Sequence, residues 1–278
     1  MGQIIWIASY PKFGNTWTRA FLHNVFRDPQ SSFNINDLTL LTANEAANAN
    51  YWDLDPRPWQ EWSNEDVAAM RATAQARLAA SRAHTIFCKT HLAVMEVRKH
   101  ATINLKVTAG AIYLIRNPLD IVISYADHQG LTIDQQIELL NLENYETPNA
   151  DTLVNEPMGS WSQHVESWTG RPNPALYVMR YEDMVANPVK AFSGLVKYLQ
   201  IDAPRSRIER AVKNSSFKVL RHQEELHGFA EKTIAQKNFF RSGKCGEWKD
   251  VLSEEQVAAI CNNHRDQMTR FGYLPEGY

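Results

Sequence analysis

Four short apolar runs punctuate the chain: Ile4–Ala8, Thr85–Cys88, Ala111–Ile115 and Ala175–Met179. None alternates with polar residues, the pattern of strands buried on both faces. Each gives way to a polar or charged residue, Ser9, Lys89, Arg116 and Arg180. Between the runs the apolar spacing turns helical. Ala20, Phe21, Asn24 and Val25 share one face of a helix that follows the first run. Residues 64–82 form an alanine-rich helix with Ser63 as N-cap and Asp66 in the capping-box region. Asn117 and Pro118 open another as N-cap and first-turn proline. Further helices are predicted at 160–169, 188–199, 204–213 and 253–271, the last starting at Ser253 with Glu254 and Glu255 in its first turn. Strands separated by helices predict a parallel sheet covered on both faces, with ligands at the strand C-termini. Residues 28–63 show no period, and 128–158 show none beyond Asp134–Leu142. Trp52, Trp59 and Trp62 in the first of these stretches either line a pocket or staple a long connection to the core.

The 278 residues carry no internal repeat, low-complexity tract or Gly/Ser linker, so one α/β domain over 1–278 is expected. Hydrophobic residues at 44% supply a substantial core. A formal charge of −2 disfavours nucleic acid as a partner, although a local basic cluster still suits a nucleotide. Cys88, Cys245 and Cys261 are too few and too scattered for a disulfide framework or a zinc site, which fits a reduced, cytoplasmic setting. The N-terminal apolar run is too short for a signal peptide, and no stretch reaches membrane-spanning length. Met1-Gly2 invites myristoylation, but Trp6 stands where Ser or Thr is required. Oligomeric state is not legible.

The first run leads through Pro11-Lys12-Phe13-Gly14 into a helix N-terminus, the geometry that gathers backbone N–H groups around a phosphate. It is nearly a P-loop. With Gly14 on the second glycine of that motif, Ser9 takes the first and Asn15 the lysine, while Thr16 fits. The lysine has moved back to Lys12. The backbone of Gly14, Asn15, Thr16 and Trp17 with the Thr16 hydroxyl is expected to cradle a phosphate. Taken alone, the stretch also reads as an ordinary strand–helix turn with a solvated lysine.

Pro11-Lys12-x-Gly14-x-Thr16-Trp17, Lys89-Thr90-His91, Arg116-Asn117-Pro118-Leu119-Asp120 with Ser124, Arg180-Tyr181-Glu182-Asp183 and Arg241-x-Gly243-x-x-Gly246-x-Trp248 follow in a fixed order. Together they resemble the cytosolic-type sulfotransferases that use 3′-phosphoadenosine 5′-phosphosulfate (PAPS), from about residue 4 to residue 250. The resemblance implies a P-loop-like fold with a central parallel sheet flanked by helices. It also implies PAPS as co-substrate, 3′,5′-adenosine bisphosphate as product, a small hydroxyl or amine acceptor, and no metal. Lys12 would stabilise the leaving phosphate. His91, with an ordinary pKa suited to accepting a proton near neutrality, is the candidate base, and Lys89 the second catalytic cation. Arg116 and Ser124 would hold the 3′-phosphate, with Arg241, Ser242 and Gly243 closing over it. Trp17 and Phe217 match the stacking aromatics of the adenine slot, and Tyr181 and Ser215 match positions beside the base. On the residues alone, Arg116 also reads as a partner of Asp120, and Trp17 as a core residue.

The match departs from the family at several points. Phe13 replaces Ser and Asn15 replaces Thr in the loop, so a phenyl ring beside Lys12 is expected to reshape the acceptor side. Ser242 replaces a lysine, removing a cation from the 3′-phosphate. Glu247 for Asp is mild. The family's Lys-x-x-x-Thr-Val-x-x-x-Glu dimer motif starts at Lys249 but is broken at Ser253, Glu254 and Ala258, so its dimer is not carried over. A nucleotide-dependent kinase and a non-catalytic nucleotide-binding protein are the competing readings. The acceptor pocket is expected from 28–63, 128–158 and 218–238.

Overall fold

The structure, a computed structural model, describes residues 2–278; Met1, the first residue of the pair weighed for myristoylation, lies outside the described residues. The strands are β1 (Ile4–Ser9), β2 (Thr42–Asn44), β3 (Ile86–Thr90), β4 (Glu96–Val97), β5 (His100–Ala101), β6 (Thr108–Ile115) and β7 (Leu176–Arg180). Five of them make one parallel sheet in the order β2-β3-β1-β6-β7, and β4 and β5 form a separate antiparallel hairpin. The helices are α1 (Asn15–Arg27), α2 (Asn64–Ala80), α3 (Pro118–Gln129), α4 (Ile133–Asn141), α5 (Trp161–Thr169), α6 (Tyr181–Ala186), α7 (Pro188–Tyr198), α8 (Arg205–Asn214), α9 (Phe217–His227), α10 (Trp248–Val251) and α11 (Glu254–Phe271). Among the described residues, no helix is long and apolar enough to cross a membrane.

The sheet is ordered by burial. β1 is the middle strand, and Ile4, Trp6, Ile7 and Ala8 have no exposed surface. Burial of each large side chain contributes roughly 1.5–3 kcal/mol. Trp6 keeps its indole N–H satisfied by donating to Thr108 Oγ1 at 2.9 Å, across the β1–β6 pair. Expected and observed caps coincide. Ser63 and Asp66 form a capping box on α2, Asn117 accepts from Leu119 N before Pro118, and Ser253 caps α11 with Gln256.

The irregular 28–63 stretch contributes β2, a strand not expected from its sequence Thr42-Ala43-Asn44. The stretch is anchored by a small apolar cluster, including Tyr51, Trp62, Val67 and Val154, and by a buried ion pair. Arg71 Nη1 lies 2.9 Å from both carboxylate oxygens of Glu45, whose Oε1 also accepts from Tyr51 at 2.6 Å. None of the three tryptophans lines the cavity at the strand C-termini, and two of them staple the connection. Trp62 is buried with its N–H on Arg57 O, Trp59 packs at the edge of the cluster, and Trp52 faces solvent.

Candidate functional site

The C-terminal ends of β1, β3 and β6 open into a cavity of about 840 Å³. The turn after β1 forms its floor. Gly14 caps α1 with φ 98°, and a Cβ there would stand 2.9 Å from the Tyr181 ring, so the turn requires glycine. Asn15 lines the floor, but its amide does not take the part of a P-loop lysine. Its amide donates to Ile7 O at 2.9 Å and Ser9 Oγ at 3.2 Å, fastening the turn to the strand.

Lys12 is held at φ 70°, a left-handed conformation that costs a non-glycine residue about 1–3 kcal/mol and is characteristic of functional sites. Arg116, at the end of β6, supports it by donating from Nη1 to Lys12 O at 3.2 Å. The Lys12 ammonium lies 4.2 Å from the centre of the Phe239 ring, and its buried Nζ has no hydrogen-bond partner. Burial brings its pKa down to about 8, with Arg116 and Arg241 adding to the fall and Asp127 and Glu231 opposing it. A buried cation with no oxygen partner is an anion-binding group.

Arg116 does not pair with Asp120. Its Nη2 donates to Lys244 O at 3.1 Å, and its guanidinium stacks 4.2 Å from the centre of the Tyr181 ring. Asp120 instead accepts from Gly246 N at 2.7 Å and Trp248 N at 3.2 Å, which ties the late loop to α3. That loop brings Arg241, Ser242 and Gly243 to the cavity wall beside Arg116 and Ser124. Arg241 is engaged by Glu247 through two contacts of 2.7 and 2.6 Å, and these hydrogen bonds hold its pKa up. Its Nε, like that of Arg116, is buried without a partner.

His91, just past β3, has its ring fixed from behind. Nδ1 lies 2.6 Å from Ser9 O, which accepts only, so Nδ1 carries the proton and Nε2 keeps its lone pair. Burial first, and then Lys89, lowers the His91 pKa well below the ordinary value. The imidazole is thus neutral and able to accept a proton. Glu156 anchors the same segment by accepting from His91 N at 3.1 Å.

Trp17, Phe217 and Tyr181 line an apolar part of the cavity together with Leu220 and Phe240. Trp17 packs against two core clusters and also lines the cavity. Ser215 is not brought to the wall. It is fully buried, and its hydroxyl donates to Ala211 O at 2.8 Å; its neighbour Ser216 lines the cavity instead. Phe13 likewise differs from expectation. Its ring is fully buried among Tyr10, Tyr113 and His164 behind the turn, away from the cavity wall.

The wall also includes Thr39, Asn44, Thr152, Glu231 and Thr233, with Ala47 and Leu153, and Asn44 lies beside Lys89 in the sheet. Glu231 and its partner Arg19 are functional candidates that the sequence reading missed. Arg19 is the available signal, a cation on the buried side of α1 three positions after Thr16. Ser9 as the histidine's partner was also missed, and local sequence gives no sign of it.

The chain matches the sulfotransferase domain family over residues 3–272. It is 24% identical over 277 residues to the amine sulfotransferase of Oryctolagus cuniculus, covering 96% of this chain and 81% of that protein. It is 28% identical over 190 residues to sulfotransferase 1A1 of Mus musculus, a match spanning 65% of this chain but 62% of the mouse protein. Among solved structures, mouse sulfotransferase SULT7A1 complexed with PAP superposes with a TM-score of 0.61 at 20% identity, covering 98% of this chain and 90% of that one. Retinol dehydratase in complex with androsterone and PAP gives 0.65 at 18% identity, covering 95% and 80%. These likenesses carry the fold, and the family match extends across nearly all of the sequence: the chain belongs to the sulfotransferase domain family.

Proposed function

We propose that this chain is a cytoplasmic, single-domain enzyme that moves a sulfuryl group from PAPS to a hydroxyl or amine of a small molecule. The observation that carries the reading is the convergence on one cavity of a buried, unpartnered ammonium at Lys12 and a His91 ring with its Nε2 lone pair available. The residues present fit the donor. Backbone N–H groups of Gly14 to Trp17 meet the 5′-phosphate at the helix N-terminus. Arg116 and Ser124, with Arg241 to Gly243, meet the 3′-phosphate, and Trp17 and Phe217 flank the base.

When bound, PAPS supplies a sulfuryl group already joined to a phosphate leaving group. His91 Nε2 takes the acceptor's proton as the acceptor oxygen or nitrogen bonds to sulfur. Lys12 donates to the phosphate oxygen that keeps the electron pair of the breaking S–O bond, and Lys89 faces the sulfuryl oxygens.

Calorimetric titration without magnesium tests the donor assignment. PAP should bind at least tenfold more tightly than 5′-AMP, because charge-assisted bonds to a phosphate contribute about 1.5–3 kcal/mol. Arg116→Met should erase most of that preference. Equal binding of the two nucleotides overturns the assignment. With an acceptor found by screening, His91→Asn should lower kcat by about 10²–10⁴ while PAP affinity stays unchanged.

A further inference from the structure

An acidic side chain sits where the site is otherwise built from cations. Glu231 lies on the segment after α9 that crosses the cavity, where Ala230, Lys232 and Thr233 also form wall. Its Oε1 accepts from Arg19 Nη1 at 2.6 Å and its Oε2 from Thr16 Oγ1 at 3.3 Å. Arg19 is about as buried as a side chain can be, at 1% exposed, and its Nε is committed to Thr42 Oγ1 at 2.9 Å. Its Nη1 meets Glu231 from behind the cavity wall, which Arg19 itself does not line.

Burial alone would raise the Glu231 pKa, but Lys89, followed by Arg19 through charge and hydrogen bond, brings it down to about 2. The carboxylate is ionised at every working pH. It accepts from the Thr16 hydroxyl of the phosphate cradle, and Lys89, assigned above to sulfuryl oxygens, lies near enough to act on its charge. Lys12, on the same floor, keeps a buried Nζ without a partner. The cationic site therefore has two regions, one at Lys12 and one in which a protein carboxylate is the ligand. Two anions at hydrogen-bond range in a low-dielectric site repel strongly.

We propose that Arg19 and Lys89, beside the Thr16 hydroxyl of the 5′-phosphate cradle, form an oxyanion subsite for the sulfuryl end of the donor, held in the free protein by the Glu231 carboxylate, which withdraws when that end binds. The inference rests on the donor reading given under Proposed function. It makes Arg19 a binding residue: once Glu231 leaves, its buried guanidinium needs another anion, and a sulfonate oxygen meets that need. It also makes Glu231 a selective obstacle, set against a ligand with a sulfuryl group and indifferent to one without.

The test is titration of wild type and Glu231→Gln with PAP and with PAPS, in the cold and without acceptor. Glutamine keeps the size and loses the charge. PAP affinity should agree within about twofold between the two proteins, and PAPS affinity should rise about tenfold or more in Glu231→Gln. Unchanged PAPS affinity overturns the proposal and leaves Glu231 a fastener of the segment. An equal gain for both ligands also overturns it, moving the conflict to the 5′-phosphate. If the variant does not fold, wild-type hydrogen exchange over residues 229–240 decides. Faster exchange with PAPS than with PAP supports withdrawal, and equal or slower exchange refutes it. Wild type that fails to prefer PAP over 5′-AMP would instead strike the donor reading, a separate and earlier result.

Discussion

Gly243→Ala probes the donor site through geometry rather than charge. Gly243 adopts φ 68°, where an L-residue pays about 1–2 kcal/mol. A Cβ at this position would stand 2.5 Å from Phe217 Cδ2, 2.7 Å from Cγ and 2.8 Å from Cε2. An aromatic ring cannot bend away as a lysine tip can, so the whole ring must retreat by the better part of an ångström. Phe217 opens α9 and meets Phe240 edge-on at 6.2 Å, which limits the retreat to a swing that spoils the adenine slot. Aromatic stacking on a base contributes about 1–3 kcal/mol. Losing it should weaken PAP binding between about fivefold and a hundredfold. The assay is calorimetric titration beside a thermal melt, where a cost of about 2 kcal/mol lowers Tm by only about 4–8 °C. Both PAP and 5′-AMP should lose affinity, because both present the base. Wild-type affinity in a folded Gly243→Ala protein would refute the placement of Phe217 against adenine.

Two further outcomes follow from the charges. Lys12 has a free-protein pKa of about 8, and a bound phosphate must raise it, so PAP binding above pH 8 should take up most of a proton. Its affinity should then fall about tenfold per pH unit; titrations in buffers of different ionisation enthalpy measure this, and Lys12→Met should abolish the uptake. Arg71→Met strands the buried Glu45 carboxylate, with an expected loss of about 3–5 kcal/mol in urea unfolding, while Arg71→Met with Glu45→Leu should recover most of it.

What could be read from the sequence divides along physical lines. β3 and β6 announce themselves because a strand buried on both faces must be apolar throughout; β7, an edge strand with Val178 exposed, is apolar without that burial, and the terminal Lys89, Arg116 and Arg180 of the three mark the ligand side. β2 is unreadable for the opposite reason. Thr42-Ala43-Asn44 pairs with β3 alone and carries no hydrophobic signal of its own. α9 was missed because its apolar positions, Phe217 and Leu220, are few among charges that face solvent. Ser215 and Ser216 show the cost of one residue at a helix boundary: the first turns into the core and the second faces the cavity. Phe13 was misplaced because a motif gives the order of residues in a turn but not the direction of each side chain. The Arg19–Glu231 pair joins residues from opposite ends of the chain, and no local pattern encodes such a contact.

The position of β1 in the sheet has a consequence for synthesis. The strand at the centre is the first made, and its two neighbours, β3 and β6, follow about eighty and a hundred residues later. At ribosomal rates of about 5–20 residues per second, Ile4, Trp6 and Ile7 spend several seconds as an apolar segment with both hydrogen-bonding edges bare. A nascent chain stalled before Thr108 carries that unpaired edge and should be a preferred client of chaperones that bind extended apolar strands. One extended past Ile115 has its central strand sealed on both sides.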